Sequence, residues 1–176
     1  MNDLLMLTMM LGSPKYGYQL KREAGWMMGQ DKLHNNLVYP MLRRFVEQKW
    51  VRKKAVPGER GQTRQQYALT AEGRHWLFNG ITRFTEANAA SENAFHLRVG
   101  LFAMLKPETR ETILNMRESY LHSRDKKLGT LQDNMELGKF GTEIVRHMRK
   151  QVAMECDWIR HLRQIAEISN RRKVGQ

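Results

Sequence analysis

Apolar residues recur with a helical period at the start of the chain. Residues 2–11 are mostly Leu and Met and stop at Gly12, a pattern that predicts a first helix. Ser13 and Pro14 then predict the N-cap and the first turn of a second helix, which would run to about Gly25. The chain is therefore expected to begin with two helices that a short turn separates.

The segment NNLVYPMLRRFVEQ predicts a third helix with two unlike faces. One face is apolar and consists of Val38, Leu42 and Phe45. Another face is polar and consists of Asn36, Tyr39 and Arg43. Asn35 or Asn36 is expected to cap this helix, and Pro40 is tolerated because it lies near the first turn. The helix is thus predicted to pack through its apolar face and to expose the polar one.

After this helix the pattern changes to the alternation of β-strands. WVRKKAV and TRQQYAL alternate apolar with polar residues and flank PGERGQ, which contains Gly58 and Gly61. They predict two short antiparallel strands joined by a loop, and Thr70 is expected to cap a following helix that begins AEGRHWL. The predicted fold class is mainly α with a small β-hairpin (α+β). Three helices followed by strand, wing and strand are the order of a winged helix-turn-helix, here over residues 1–78.

Two long amphipathic helices are predicted for residues 106–176, after a connecting helical segment at residues 79–105. Apolar residues recur there at three- and four-residue steps, or at multiples of them, in two runs: Ile113, Met116, Tyr120, Leu128, Leu131 and Met135, and then Val145, Met148, Val152, Cys156, Ile159, Leu162 and Ala166. Gly138 and Gly141 are expected to separate the two helices. Two such helices cannot bury their stripes against each other alone, which predicts a homodimer through this C-terminal domain.

Positive charge is concentrated on the predicted third helix and hairpin. The chain has 30 Lys and Arg against 18 Asp and Glu, a net charge of +12 and a pI near 10.1. Residues 43–64 alone carry eight basic and two acidic side chains, a net charge of +6 that is half of the net charge of the whole chain. From residue 79 onward basic and acidic residues are interleaved, as is typical of solvated helix faces. This distribution favours a polyanionic partner, and nucleic acid is a commoner one than an anionic membrane.

Cysteine content and the N-terminus predict a cytoplasmic protein. Cys156 is the only cysteine, so an intrachain disulfide is excluded and a reducing compartment is implied. The apolar N-terminal segment contains Asp3, lacks a basic n-region and is too short to span a bilayer. No membrane partner is expected.

A basic winged helix predicts a site for double-stranded operator DNA. The third helix would lie in the major groove, where Asn and Arg side chains pair with adenine and guanine edges and Tyr39 contacts a phosphate or a thymine methyl. The hairpin cations would neutralise phosphates. The predicted DNA-binding residues are Asn35, Asn36, Tyr39, Pro40, Arg43, Arg44, Arg52, Lys53, Lys54, Arg60, Gln62 and Arg64. The alternative interpretation is a solvated basic hairpin on an unrelated small α+β domain.

Three segments over residues 3–78 resemble the N-terminal signature of the PadR family of bacterial transcriptional regulators. They are YGYQLKRE (16–23), LVYPMLRRFVEQKWV (37–51) and RQQYALTAEGRHWL (64–77). The most specific matches are the Tyr39-Pro40 pair and Tyr67 followed by Gly73. The resemblance implies a winged-helix regulator, and the expectation is a homodimeric repressor on a pseudo-palindromic operator.

The C-terminal part, including FHLRVGLFAMLKPETR and RHMRKQVAMECDWIRHLRQ, resembles the larger C-terminal domain of one PadR subgroup. That subgroup includes the phenolic-acid repressor and virulence-type activators. Its phenolic-acid members bind aromatic acids, so the resemblance implies a small aromatic effector near the junction of the two domains. Trp26 and Trp158 are the predicted effector-binding residues, whereas most other large apolar side chains there, such as Trp76 and Phe102, are expected to be core.

The remaining motifs favour no catalytic or metal chemistry. GERG matches the Gly-x-x-Gly loop of KH RNA-binding domains, but that loop joins two helices rather than two strands. The histidines have no spacing typical of metal ligands, and Cys156 is expected to be a packed thiol rather than a redox sensor. No cofactor and no enzymatic activity are expected. Two other functions stay open: a ligand- or stress-sensing protein with weak DNA binding, and a nucleoid-type architectural protein that binds DNA without sequence preference.

Overall fold

The structure is a computed structural model of the chain and describes residues 2–58, 62–134 and 138–174. It consists of two compact units, Met1–Arg83 and Phe84–Gln176. The predicted three-part division at residues 78 and 105 stays a prediction.

The first unit combines helices with a small sheet. In chain order its elements are α1 (Asn2–Thr8), β1 (Lys15–Tyr16), α2 (Gly17–Met27), α3 (Asn35–Glu47), β2 (Val51–Pro57), β3 (Thr63–Leu69) and α4 (Ala71–Thr82). The strands form an antiparallel sheet in the order β1-β3-β2. In the hairpin, Val51 pairs with Leu69 and Pro57 with Thr63. The predicted mainly α fold with a winged helix-turn-helix is therefore confirmed.

The second helix begins later than the sequence pattern predicts. Ser13 and Pro14 do not start it, because Lys15 and Tyr16 form strand β1 and pair with β3. The helix begins at Gly17, and the backbone N–H of Tyr16 donates to Gln19 Oε1 at 2.9 Å. Pairing with a distant strand satisfies backbone groups that a local cap would otherwise have to satisfy. A two-residue strand leaves almost no periodic signal in the sequence.

The hairpin and α4 are joined closely through Thr70. Its hydroxyl oxygen accepts the backbone N–H of Gly73 at 3.0 Å and donates to the carbonyl of Lys49 at 2.7 Å. This confirms Thr70 as the cap of α4. A Cβ on Gly73 would lie 2.0 Å from the carbonyl oxygen of Trp50, so the first turn of α4 can approach the start of the hairpin only with glycine there.

The second unit is helical throughout its described part. Its elements are α5 (Glu86–Ala90), α6 (Glu92–Val99), a 3₁₀ turn (Phe102–Met104), α7 (Pro107–Asn134) and α8 (Lys139–Val174). Ion pairs between α7 and α8, such as Arg117 with Glu155, show that the two long helices run antiparallel. Gly138 precedes α8 as expected, but Gly141 lies within it, since a single glycine in a long helix costs only about 1 kcal/mol. Met135 of the predicted stripe lies outside the described residues.

Helix α8 has two apolar faces rather than one. Val145, Val152 and Ile159 are buried. A second set of apolar side chains is exposed, and at 100° per residue its members share another face: Phe140, Ile144, Met154 and Ile165. Among the described helices, none is both long and apolar enough to cross a bilayer.

Candidate nucleic-acid interface

Helix α3 has the two faces that its sequence predicts. Val38 and Phe45 are fully buried and Leu42 is 1% exposed, so the apolar face is part of the core of the first unit. Asn36, Tyr39 and Arg43 are exposed. The burial of one face fixes how α3 is rotated in the unit, and the polar face therefore points to solvent.

The N-terminus of α3 differs from the predicted one. His34 is the N-cap and makes no side-chain cap hydrogen bond, whereas Asn35 and Asn36 are the first two residues of the helix. The predicted asparagine cap is therefore wrong. Asn35 Oδ1 accepts a hydrogen bond from Lys21 Nζ at 2.8 Å instead, which links α3 to α2. Pro40 lies inside the helix on its exposed side, and the helix continues through it.

The two neighbouring arginines of α3 have different environments. Arg44 Nη2 lies 2.5 Å from Asp3 Oδ1, so its guanidinium is engaged by α1. Arg43 is exposed and has no hydrogen-bond or ion-pair partner among the residues that the structure describes. Arg43 is therefore the better placed of the two to bind a base edge.

The cations of the hairpin lie on both of its faces. Side chains alternate along a strand, so Arg52 and Lys54 share one face while Lys53 lies on the other. Arg64 pairs with Val56 and lies on the face of Arg52 and Lys54. Arg52, Lys53 and Lys54 are all exposed.

The tip of the hairpin is closed by a backbone hydrogen bond. The N–H of Gly58 donates to the carbonyl of Gln62 at 2.7 Å, and the side chain of Arg64 packs against Gly58. Gln62 is exposed. Arg60 and Gly61 lie outside the described residues, so the predicted role of Arg60 stays a prediction.

Tyr39 extends from α3 toward the beginning of α2 and the sheet. Its ring edge lies against the backbone of Gly17. Burial raises the pKa of Tyr67 on β3, and the phenol of Tyr39 raises it further, which places the two phenols near each other. Sequence periodicity predicts that Tyr39 is exposed but not that Gly17 supports it.

The predicted effector-binding residues belong to different units. Trp26 is 61% exposed at the end of α2, with the Arg22 guanidinium 5.0 Å from its ring centre. Trp158 packs edge-on against Phe95, with ring centres 5.8 Å apart. Trp76 stacks on Trp50 within the first unit, with ring centres 4.2 Å apart, but it is only half-buried and so borders the core rather than lying inside it. An effector site that includes Trp26 and Trp158 stays a prediction.

Cys156 lies on α8 and is partly buried. Burial raises the pKa of its thiol, and the nearby carboxylates of Glu118, Glu155 and Asp157 raise it further. A raised pKa disfavours the reactive thiolate, so the environment suits a packed thiol. Within the described residues, no group of three His, Cys, Asp or Glu side chains could hold a metal ion.

Comparison with known families agrees with the winged-helix geometry. Residues 6–78 match the model of the transcriptional regulator PadR-like family. This part of the chain is PadR-like. That family consists of transcriptional regulators, and the match agrees with the prediction that the chain is not an enzyme.

Solved structures of PadR proteins are similar to this chain at low sequence identity. Bacillus subtilis PadR in complex with operator DNA is 14% identical, with a TM-score of 0.46 over 93% of this chain and 98% of that one. A PadR family regulator from Eggerthella lenta is 27% identical, with a TM-score of 0.39 over 44% of this chain and 66% of that one. One from Clostridium difficile is 21% identical, with a TM-score of 0.38 over 45% and 81%. A comparison with curated proteins found no match.

Proposed function

We propose that this PadR-like protein is a sequence-specific regulator that binds operator DNA as a homodimer and represses transcription in the cytoplasm. One observation carries the proposal. Helix α3 is held by a buried apolar face and presents Asn36, Tyr39 and Arg43 to solvent beside a hairpin with exposed cations. A helix of this kind fits the major groove of B-DNA, which is wide enough to admit one.

The exposed residues of α3 supply the chemistry of base recognition. An arginine pairs with the O6 and N7 acceptors of guanine, and an asparagine pairs with N6 and N7 of adenine. Arg43 would take the first role and Asn36 the second, while Tyr39 contacts a phosphate or a thymine methyl. Hairpin cations on both sides of the sheet add phosphate contacts that carry no sequence information.

Selection of bound duplexes from a random pool tests the proposed function and identifies the site. The protein should then bind the selected duplex at least about 10³-fold more tightly than a random duplex at the same salt concentration. An architectural protein would show no preference between the two duplexes. A ligand- or stress-sensing protein with incidental DNA affinity would bind both weakly.

Removing hairpin cations should weaken binding to all DNA alike. In the Arg52→Ala, Lys54→Ala double variant, affinities for the selected and the random duplex are expected to fall by the same factor. The slope of log affinity against log salt should decrease by about 0.9 for each phosphate that is no longer neutralised. The matched control is the Lys126→Ala, Lys127→Ala double variant, which removes two exposed cations from α7. A slope equal to that of the wild type would exclude this hairpin face from DNA contact.

The exposed apolar face of α8 supports the homodimer. Phe140 is 89% exposed and Met154 is 68% exposed, and both lie on the face that α7 leaves uncovered. Exposed apolar side chains that recur along one face of a long helix are typical of an association surface. A two-fold dimer would place two α3 helices on the two halves of a pseudo-palindromic operator.

Charges on this face should separate the two protomers. The wild type is expected to sediment as a dimer at micromolar concentration, and Ile144→Glu with Met154→Glu should sediment as a monomer, because each glutamate would be buried without a partner. Thr130→Glu on α7 introduces the same charged group at an exposed position and should leave the dimer intact. A wild-type monomer at this concentration would contradict the proposal.

The effector is the regulatory part of the proposal. A small aromatic acid would suit a chain with a net charge of +12. Its binding would release the operator by favouring a dimer in which the two α3 helices no longer match the two half-sites.

A further inference from the structure

Tyr39 is supported by a residue from outside its own helix. An ideal Cβ on Gly17, the first residue of α2, would lie 2.9 Å from Tyr39 Cε1 and 3.5 Å from the phenol oxygen. Carbon atoms in proteins do not pack as closely as the first of these distances, because optimal separations are about 3.5–4.0 Å. The edge of the Tyr39 ring therefore occupies the space that a side chain at position 17 would need.

Backbone conformation gives no separate reason for a glycine at this position. Of the glycines that the structure describes, Gly29 alone has a positive φ, and Gly17 lies in the helical backbone of α2. A helical glycine is less favourable than an alanine because it loses more conformational freedom on folding. The fit with Tyr39 is thus the reason for glycine that the geometry offers.

The backbone under the Tyr39 ring is fixed on both sides of Gly17. The preceding residues pair with β3, Lys15 with Tyr67 and Tyr16 with Gln66. The first turn of α2 is closed by the Tyr16 N–H, which donates to Gln19 Oε1 at 2.9 Å. The backbone at Gly17 is therefore held in place between the sheet and the helix, and no side chain projects from it.

We propose that Gly17 is a positioning residue that holds the phenol of Tyr39 toward the DNA. The proposal rests on the proposed function and adds a specific role within it. Tyr39 is 42% exposed, so without this support its ring would sample several rotamers in solvent. A ring that is already held in place loses less rotamer entropy on binding, and the affinity for DNA is correspondingly higher.

Gly17→Ala in the full-length chain tests this role. The added Cβ displaces the ring, and because the ring is partly exposed it can swing into solvent without disturbing the core. Affinity for the selected duplex should fall about tenfold, within the range of couplings between contacting residues, while the thermal midpoint stays the same or rises slightly. Gly12→Ala is the matched control, since nothing lies within 4 Å of a Cβ there.

The Tyr39→Ala background distinguishes positioning from a general structural effect. In that background, Gly17→Ala should change the affinity by less than about twofold, because the ring through which it acts is gone. A tenfold loss that persists without Tyr39, or a Gly17→Ala variant that unfolds in both backgrounds, would overturn the positioning role. The double variant therefore tests the role whether or not the single variant is stable.

A second readout needs no DNA. In protein with ¹³C-labelled tyrosine rings, the Tyr39 ring resonances, assigned with Tyr39→Phe, should shift in Gly17→Ala and stay unchanged in Gly12→Ala. Unchanged Tyr39 resonances in Gly17→Ala would contradict the positioning role of Gly17. If Arg43→Ala loses affinity but Gly17→Ala does not, the positioning role alone fails. If neither loses affinity while the resonances shift as expected, the proposed function of α3 fails instead.

Discussion

Arg117→Ala should destabilise the second unit more than the loss of any exposed ion pair in that unit. Arg117 is 1% exposed, and its guanidinium forms two hydrogen bonds to Glu155, at 2.7 and 2.8 Å. A third hydrogen bond, of 2.6 Å, goes to the carbonyl of Ala89. The group thereby joins α5, α7 and α8. Removing it leaves Glu155, whose side chain is 16% exposed, without its counter-charge, and such a loss costs about 3–5 kcal/mol.

Aromatic rings complete the environment of this guanidinium. The ring centres of Phe95 and Tyr120 lie 5.5 and 5.4 Å from Arg117 Cζ, within the range of cation–π attraction. Chemical denaturation of the full-length chain, followed by helical circular dichroism, measures the loss. Arg149→Ala removes a bidentate pair with Asp125 that is exposed on both sides, and because solvent screens such a pair the loss of stability should be much smaller than for Arg117→Ala.

A double variant shows whether a large loss of stability comes from the unpaired charge of Glu155 or from the other contacts of Arg117. Arg117→Met with Glu155→Leu removes both charges and keeps apolar volume, so it should recover most of the stability that Arg117→Ala loses. If the double variant is as unstable as the single one, the hydrogen bond to Ala89 and the ring contacts carry the stability instead. A loss for Arg117→Ala no larger than for Arg149→Ala would show that the buried pair contributes no more stability than the exposed one.

Arg117 also shows that a pattern of apolar residues does not predict which charged residues are buried. Interleaved charges after residue 79 predict solvated helix faces, yet Arg98, Arg110 and Arg117 are all buried. That prediction is wrong for these three residues, because their partners are carbonyl groups and a carboxylate that lie far away in the sequence or within the preceding turn. Periodicity reports which faces are apolar, whereas the burial of an arginine depends on what other elements bring to it.

Local signals predicted most of the first unit. The hairpin, α3 and the Thr70 cap each depend on residues that are close in sequence, so alternation, periodicity and turn residues were sufficient. Strand β1 was missed because its hydrogen bonds go to β3, about fifty residues later. The missed strand is also what displaces the start of α2 from Pro14 to Gly17.

In the candidate site, too, features of a single helix could be predicted from the sequence, whereas contacts between elements could not. That Asn36, Tyr39 and Arg43 share an exposed face follows from spacing along one helix. That Arg44 is engaged by Asp3, and that Gly17 supports Tyr39, follows from contacts between helices. A pattern along one segment does not report such contacts. The sequence therefore predicted the same DNA-binding role for Arg43 and Arg44.

The arginine pair of α3 offers a direct test of base recognition. Arg43→Ala and Arg44→Ala remove the same charge from adjacent positions, so any general electrostatic loss should be similar in the two variants. Arg43→Ala should in addition lose about 1–3 kcal/mol of affinity for the selected duplex and relax the preference at one base pair. The thermal midpoint of Arg43→Ala should stay close to that of the wild type, because Arg43 is exposed and lies outside the core.

Leu42→Ala should weaken DNA binding for a different reason, because it destabilises the fold. Leu42 is 1% exposed behind the polar face, and its truncation leaves a cavity that costs about 2–5 kcal/mol of folding free energy. DNA binding would then decrease only in proportion to the unfolded fraction, and the base preference of the folded protein would be unchanged. If Arg43→Ala and Asn36→Ala both kept wild-type affinity and selectivity while Leu42→Ala lost stability as expected, α3 would be a structural helix. Base recognition would then have to come from the hairpin.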